Sequence, residues 1–160
     1  MKSSSIEDLF AHEVQVLHNA ENEIQQRLPR LAQAAKSPQL REILAAQVTQ
    51  SKAREPLLQQ LLGRLEVPTL RSSCIAISVM LAEGERLLPA GLEPDALDAE
   101  LALAAQRIKQ YQTSGYQATR NYAAALSLKE HAGMFDAALI EDEAASGRLA
   151  ELTSGLVNAN

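Results

Sequence analysis

Apolar residues along this chain recur at helical spacing from one end to the other. Ile6, Leu9, Phe10, Leu17, Ile24, Leu28 and Leu31 form a first stripe. Ser4 with Glu7, or Ser5 with Asp8, supplies a capping box at its start. Pro29 lies inside the stripe and predicts a kink. Ser37-Pro38 reads as an N-cap followed by proline at the first helical position. The second helix then runs to about Leu65, with Leu40, Ile43, Leu44, Leu58, Leu61, Leu62 and Leu65 inward; Pro56 predicts a bend or break. A shorter helix follows over 72–88, carrying Cys74, Ile75, Ile77, Val79, Met80, Leu81, Leu87 and Leu88. Its length suits a crossover between two long helices.

The loop 89–94 leads to a fourth helix from about Asp95 to Ala125, with Leu97, Leu101, Ala104, Ala105, Ile108, Tyr111, Gly115 and Tyr122 on its buried side. Gly115 inside a helix predicts a close approach of another helix. Ser127 with Glu130 predicts a capping box for the fifth helix. The inward residues of that helix are Met134, Phe135, Ala138, Leu139, Asp142, Ala145, Leu149 and Leu152, and fraying is expected from Ser154. No strand pattern, repeat or linker competes. The reading is a single all-α domain over 1–160, its ordered bundle about 5–153, with four long helices and one short crossover helix.

Several polar residues interrupt these stripes. Glu21 lies between Leu17 and Ile24, and Asp142 repeats the pattern on the fifth helix. Gln47, Gln50, Ser51 and Arg54 share one side of the second helix. The segment 107–116 places Lys109, Gln112 and Tyr116 on one face of the fourth. A buried carboxylate is costly unless something pairs with it. Glu21 and Asp142 are therefore expected in a polar layer within the core. Lys109 either joins them or snorkels outward along its stem. Tyr111, Tyr116 and Tyr122 read as packing residues with polar tips.

Composition narrows the function classes. Aromatics are 3% with no Trp, so the core must be aliphatic, built from Leu, Ala, Ile and Val. The net charge is −5 and no basic block stands out, which argues against nucleic-acid binding. Cys74 is the single cysteine; a buried apolar role is expected, and the lack of a pair fits a reducing cytoplasm. The N-terminus lacks the apolar run of a signal peptide, and no apolar stretch is long enough to span a membrane. No spacing suggests a nucleophilic triad or a phosphate loop. His12 and His131 are expected in solvent.

The pattern Asp8-Leu-Phe, Ala20-Glu21, Leu28-Pro29-Arg-Leu-Ala-Gln-Ala-Ala35, Cys74 and Arg107-Ile-Lys-Gln-Tyr-Gln-Thr-Ser-Gly-Tyr116 resembles the YciE/YciF family, bacterial stress-associated ferritin-like proteins. The resemblance runs from Ile6 to about Leu152. It implies a ferritin-like four-helix bundle with a short fifth crossover helix, usually dimeric, with a carboxylate-rich metal site at its centre. Carried over by position, Glu21 matches the carboxylate of the first helix. Gln47 and Gln50 stand where His and Glu are usual. In a motif like Val-Glu-His-Tyr-Glu, Lys109 and Gln112 replace the acids and Gln110 the His. Glu141-Asp142 keeps an acidic pair, while the next acidic position is Ser146.

A dimetal bundle site uses roughly four carboxylates. This layer offers Glu21 and Asp142 against the cation Lys109. The resemblance therefore implies a degenerate site without cofactor or catalysis. Such a protein would act through its surface, as a homodimer, as a heterodimer with a metal-competent relative, or as an inhibitor of another protein. A purely structural stress protein is a further reading. The alternative is an iron- or manganese-binding stress protein or oxidoreductase with a reduced site, for which His18, Glu21 and Asp142 are the residual ligands. The first two helices, and Ile75, Val79 and Met80 of the crossover, are candidate dimer surfaces.

Overall fold

A computed structural model describes residues 5–69 and 74–158. Five helices follow in order: α1 (Ile6–Ala34), α2 (Pro38–Arg64), α3 (Ile75–Leu87), α4 (Pro94–Ala125) and α5 (Lys129–Asn158). Ser5 caps α1 through a reciprocal box with Asp8; Ser4 lies outside the described residues. Ser37 caps α2 at Leu40, with proline at the first position. The predicted start of α3 at residue 72 also falls outside the described residues, and the helix is seen from Ile75.

The long helices pack as antiparallel neighbours. Gln25 of α1 reaches the carbonyl of Ser51 in α2, and His18 reaches Glu55. Glu21 of α1 meets Gln112 and Tyr116 of α4, and Arg120 of α4 pairs with Asp136 of α5. Arg54 of α2 bonds the carbonyl of Ala138 in α5. α2 and α4 consequently run parallel, and the chain between them must return along the bundle. That return carries α3, which packs on α1 and α4. A bundle with one long crossover is the ferritin-like arrangement.

Arg27 clasps α3 to α1. Its guanidinium donates to both carboxylate oxygens of Glu85, at 3.0 and 2.9 Å, and to Ser78 Oγ at 3.0 Å. The hydrogen bond from Arg27 holds the Glu85 carboxyl below its ordinary pKa. Gly84 gives the close approach here: a Cβ on it would lie 2.7 Å from Leu31 Cδ2. Gly115 does the same on α4, 2.9 Å from Leu17 Cδ2, as its place in a helix predicts. Asp98 of α4 is buried and accepts from the N–H groups of Lys36 and Ser37, fixing the α1–α2 turn. Buried Cys74 sits against the Tyr111 hydroxyl at 3.6 Å.

Several expectations need correction. α2 is not broken at Pro56 but continues through it as one helix; α1 likewise runs on as one helix past Pro29. Pro56 is exposed, so water can serve the carbonyl it leaves without a donor. Ser127 does not cap α5. It has φ of 58°, and the bonds Ser127 N–H to Ala124 O and Leu128 N–H to Ala123 O form the Schellman ending of α4. Glu66, at φ of 55°, closes α2 in the same way. α5 stays helical past Ser154, to Asn158. The buried stripe of α4 is rotated from the expected one. Tyr111, Gly115 and Tyr122 are half-buried, while Lys109, Gln112, Tyr116, Thr119 and Ala123 turn inward. Met134, Leu139 and Leu152 are also half-buried, as is His131.

That rotation divides the apolar core. One cluster holds Ile24, Leu28, Leu44, Leu101 and Ile108 with α3 residues Ile77 and Leu81. The other holds Phe10, Val14, Leu17, Leu58, Leu62, Tyr116 and Phe135. Buried polar side chains lie between them.

Candidate functional site

The polar layer takes side chains from all four long helices. Glu21 from α1 is fully buried. Its carboxylate accepts from Gln112 Nε2 at 3.0 Å on both oxygens and from the Tyr116 hydroxyl at 2.8 Å. Gln47 Nε2 donates to Gln112 Oε1 at 3.3 Å, which extends the network to α2. Burial first, and then the Glu21 charge, hold the Tyr116 phenol well above its ordinary pKa.

Asp142 from α5 is also fully buried, and two cations serve it. Lys109 Nζ donates to Asp142 Oδ1 at 3.0 Å and to Gln50 Oε1 at 3.1 Å. The ammonium is 1% exposed, so Lys109 turns inward and does not snorkel. Arg54 Nη1 lies 2.9 Å from the same Asp142 oxygen. Thr113 Oγ1 donates to Asp142 Oδ2 at 3.3 Å. Arg54 Nη2 bonds Ala138 O and Glu141 Oε2, both at 3.0 Å, and its guanidinium stacks 4.9 Å from the Tyr116 ring centroid.

The two cations respond differently to burial. Burial lowers the Lys109 pKa and the charge of Arg54 lowers it further; Asp142 and Glu21 recover part of this, and the net shift is downward. Burial also works against Arg54, but Tyr116, Asp142 and Glu21 outweigh it and its pKa rises. A guanidinium tolerates such a site better than an ammonium because it is more weakly hydrated.

The structure thus gathers Glu21, Gln47 and Gln112 into one hydrogen-bonded set and Gln50, Lys109 and Asp142 into another, with Arg54, paired with Asp142 and stacked on Tyr116, joining the two. It does not place His18 with Glu21 and Asp142 as a ligand set. His18 Nε2 instead meets Glu55 at 2.8 Å, a partner on α2. Among the described residues no group of three or more His, Cys, Asp or Glu side chains is placed to hold a metal ion. Gln110 is exposed, Ser146 is half-buried, and Glu141 reaches in from the rim.

Arg54 is the member that the sequence reading left out of the layer. The signal was available: it follows Gln47 and Gln50/Ser51 at the spacing of one helix face. Thr113 also joins as a donor, and the polar tip expected of Tyr116 donates to Glu21.

A dimetal centre does not suit this layer. Two carboxylates, Glu21 and Asp142, face two cations, Lys109 and Arg54, so the four charges already cancel. Every carboxylate oxygen has a protein partner. Four or so acidic ligands would be needed to offset two dications.

Helix order, crossover and central layer together define a ferritin-like bundle whose core layer is built from ion pairs and amides. The chain matches, over residues 5–160, the family described as "Domain of unknown function (DUF892)". It belongs to that family and is a YciE/YciF-like member of it. Protein YciF of Escherichia coli (strain K12) is 23% identical over 159 residues, which are 99% of this chain and 96% of YciF. The crystal structure of that E. coli stress protein superposes with a TM-score of 0.90 at 24% identity, covering 100% of both chains. YcfI from Rhodopseudomonas palustris gives a TM-score of 0.83 at 23% identity, over 91% of this chain and 93% of its own. These structural likenesses concern the fold.

Proposed function

We propose that this protein is a non-catalytic, metal-free ferritin-like protein of a bacterial stress response, acting in the cytoplasm through protein association. The observation that carries the reading is the pairing of Asp142 with both Lys109 and Arg54. In this reading the layer formed by Glu21, Gln47, Gln50, Lys109, Gln112 and Asp142 is a former metal layer. Iron or manganese chemistry needs ligands with spare lone pairs and net negative charge. Here lysine, arginine, amide, threonine and tyrosine donors use the lone pairs, and the two cations cancel the charge.

What the bundle offers to others is surface. Ile75 is 76% exposed and Val79 is 53% exposed, one turn apart on α3. Burying such a pair in a contact is favourable at about 25 cal/mol per Å² of apolar area. The partner is a second copy or a metal-competent relative of the same fold, whose own α3 would present a like helix. Light scattering of the purified chain, alone and with a candidate relative, tests association. The reading expects a dimeric mass that falls to the monomer in I75K/V79K. A monomer at all concentrations, alone and with relatives, would defeat it.

A further inference from the structure

The central layer is poor in negative charge but rich in oxygen. The carboxylates of Glu21 and Asp142, the amide oxygens of Gln50 and Gln112 and the Tyr116 hydroxyl all take part in it. Such hard oxygens are what manganese, magnesium and related cations take as ligands. Gln47 Oε1 is an additional one: it is buried and accepts no hydrogen bond.

The two cations hold the place that a metal ion would need. Lys109 Nζ draws together an oxygen of α5, on Asp142, and one of α2, on Gln50. Arg54, one turn further along the same face of α2, reaches the same Asp142 oxygen. Both carboxylates act electrostatically on both cations, so the four groups form one charge system. Arg54 also lies at the rim of the layer, paired with the exposed Glu141. With Tyr116 and Glu141 it borders a cleft of about 190 Å³ between α2 and α5, walled by Leu57, Met134 and Phe135.

We infer that Arg54 and Lys109 are resident counter-ions that exclude divalent metal by charge, and that removing both opens a site for one divalent cation per chain. This rests on the metal-free reading above. The stoichiometry follows from charge: Glu21 and Asp142 together balance a single dication. Neutral amide oxygens from Gln47, Gln50 and Gln112 then complete its shell. A loss of donors, by contrast, would leave the layer without metal affinity whatever happened to the cations.

The test uses the full chain and its R54M/K109M variant, each incubated with Mn²⁺ or Co²⁺, dialysed and analysed for metal per chain. Thermal melting with and without the ion is the second readout. The wild-type chain is expected to keep no metal and show no shift. The double variant is expected to keep about one equivalent, melt higher with metal, and lose both effects when E21Q and D142N are added. A double variant with wild-type circular dichroism that retains no metal overturns the inference. If that variant fails to fold without metal, recovery of helix on refolding with Mn²⁺ supports it. If it fails to fold even then, R54Q/K109Q, which removes both charges but keeps polar side chains in the layer, decides in the same assay: Mn²⁺ retained above wild type supports the inference, and none retained overturns it. Metal retained by the wild-type chain would instead defeat the metal-free reading itself, so the two failures are distinguishable.

Discussion

Lys109 and Asp142 show at single-residue scale what holds this core together. Both are essentially without solvent, 3.0 Å apart. Removing one partner of such a pair leaves a buried charge without compensation, whereas replacing both by apolar groups is often neutral. Lys109→Met leaves Asp142 its Arg54 partner, so it should lower the unfolding free energy by only about 1–3 kcal/mol, whereas Asp142→Leu, which strands both cations, should cost about 3–5 kcal/mol in urea titrations. Tyr116 makes a pH prediction. Its phenol keeps its proton in the fold above the pH at which the unfolded chain, near the ordinary value of 10.0, releases it. The folded state then binds more protons, so stability falls as pH rises past about 10, by up to ~1.4 kcal/mol per pH unit. Lys109 acts oppositely: its folded pKa is depressed, so its contribution grows with pH until the unfolded value of 10.5. Tyr116→Phe should flatten the alkaline decline and Lys109→Met should steepen it, both read from unfolding between pH 8 and 11. Glu21 and Asp142 were legible in the sequence because each breaks an apolar stripe at helical spacing, whereas Lys109 shares a face with Gln112 and Tyr116 off the expected stripe of α4, which left it either inward or snorkelling. Arg54 was harder to place, since Gln47, Gln50 and Ser51 beside it read as a polar face and nothing in the one-dimensional pattern aims that face inward.

The helices themselves were readable from periodicity, and the Ser5 and Ser37 caps with them, but the junction of α4 and α5 was not. Ser127 followed by Glu130 has the signature of an N-cap, yet the serine ends α4 in a left-handed conformation. A Schellman ending is set by backbone bonds, which leave no mark in side-chain spacing unless glycine stands there. Glu66 is the same case on α2. A non-glycine residue at such a position carries strain of roughly 1 kcal/mol. Ser127→Gly and Glu66→Gly should each raise stability by about 0.5–1 kcal/mol, measurable as a higher melting temperature. The short α3 depends on a different device. Its register on α1 rests on Arg27 holding Glu85 and Ser78 and on Gly84 lying against Leu31. Arg27→Ala should increase amide exchange in α3 while leaving the α4–α5 pair protected, because those helices share no bond with the clasp.

Across the whole molecule, fold and site answer to different features of the chain. The four long stripes and the short crossover imply the bundle, and the apolar clusters on either side of the polar layer bear this out. The layer's role depends on charge, and one residue tips it: with Lys109 alone the layer would carry a net negative charge, and Arg54 makes it neutral. Exposed Ile75 and Val79 then leave association as the property by which the bundle would act. The most direct test is the metal content of the wild-type chain after incubation with Fe²⁺ and Mn²⁺ followed by dialysis. The account predicts no retained ion and an unchanged melting temperature. One or two equivalents of iron or manganese per chain, lost on Glu21→Gln, would contradict it.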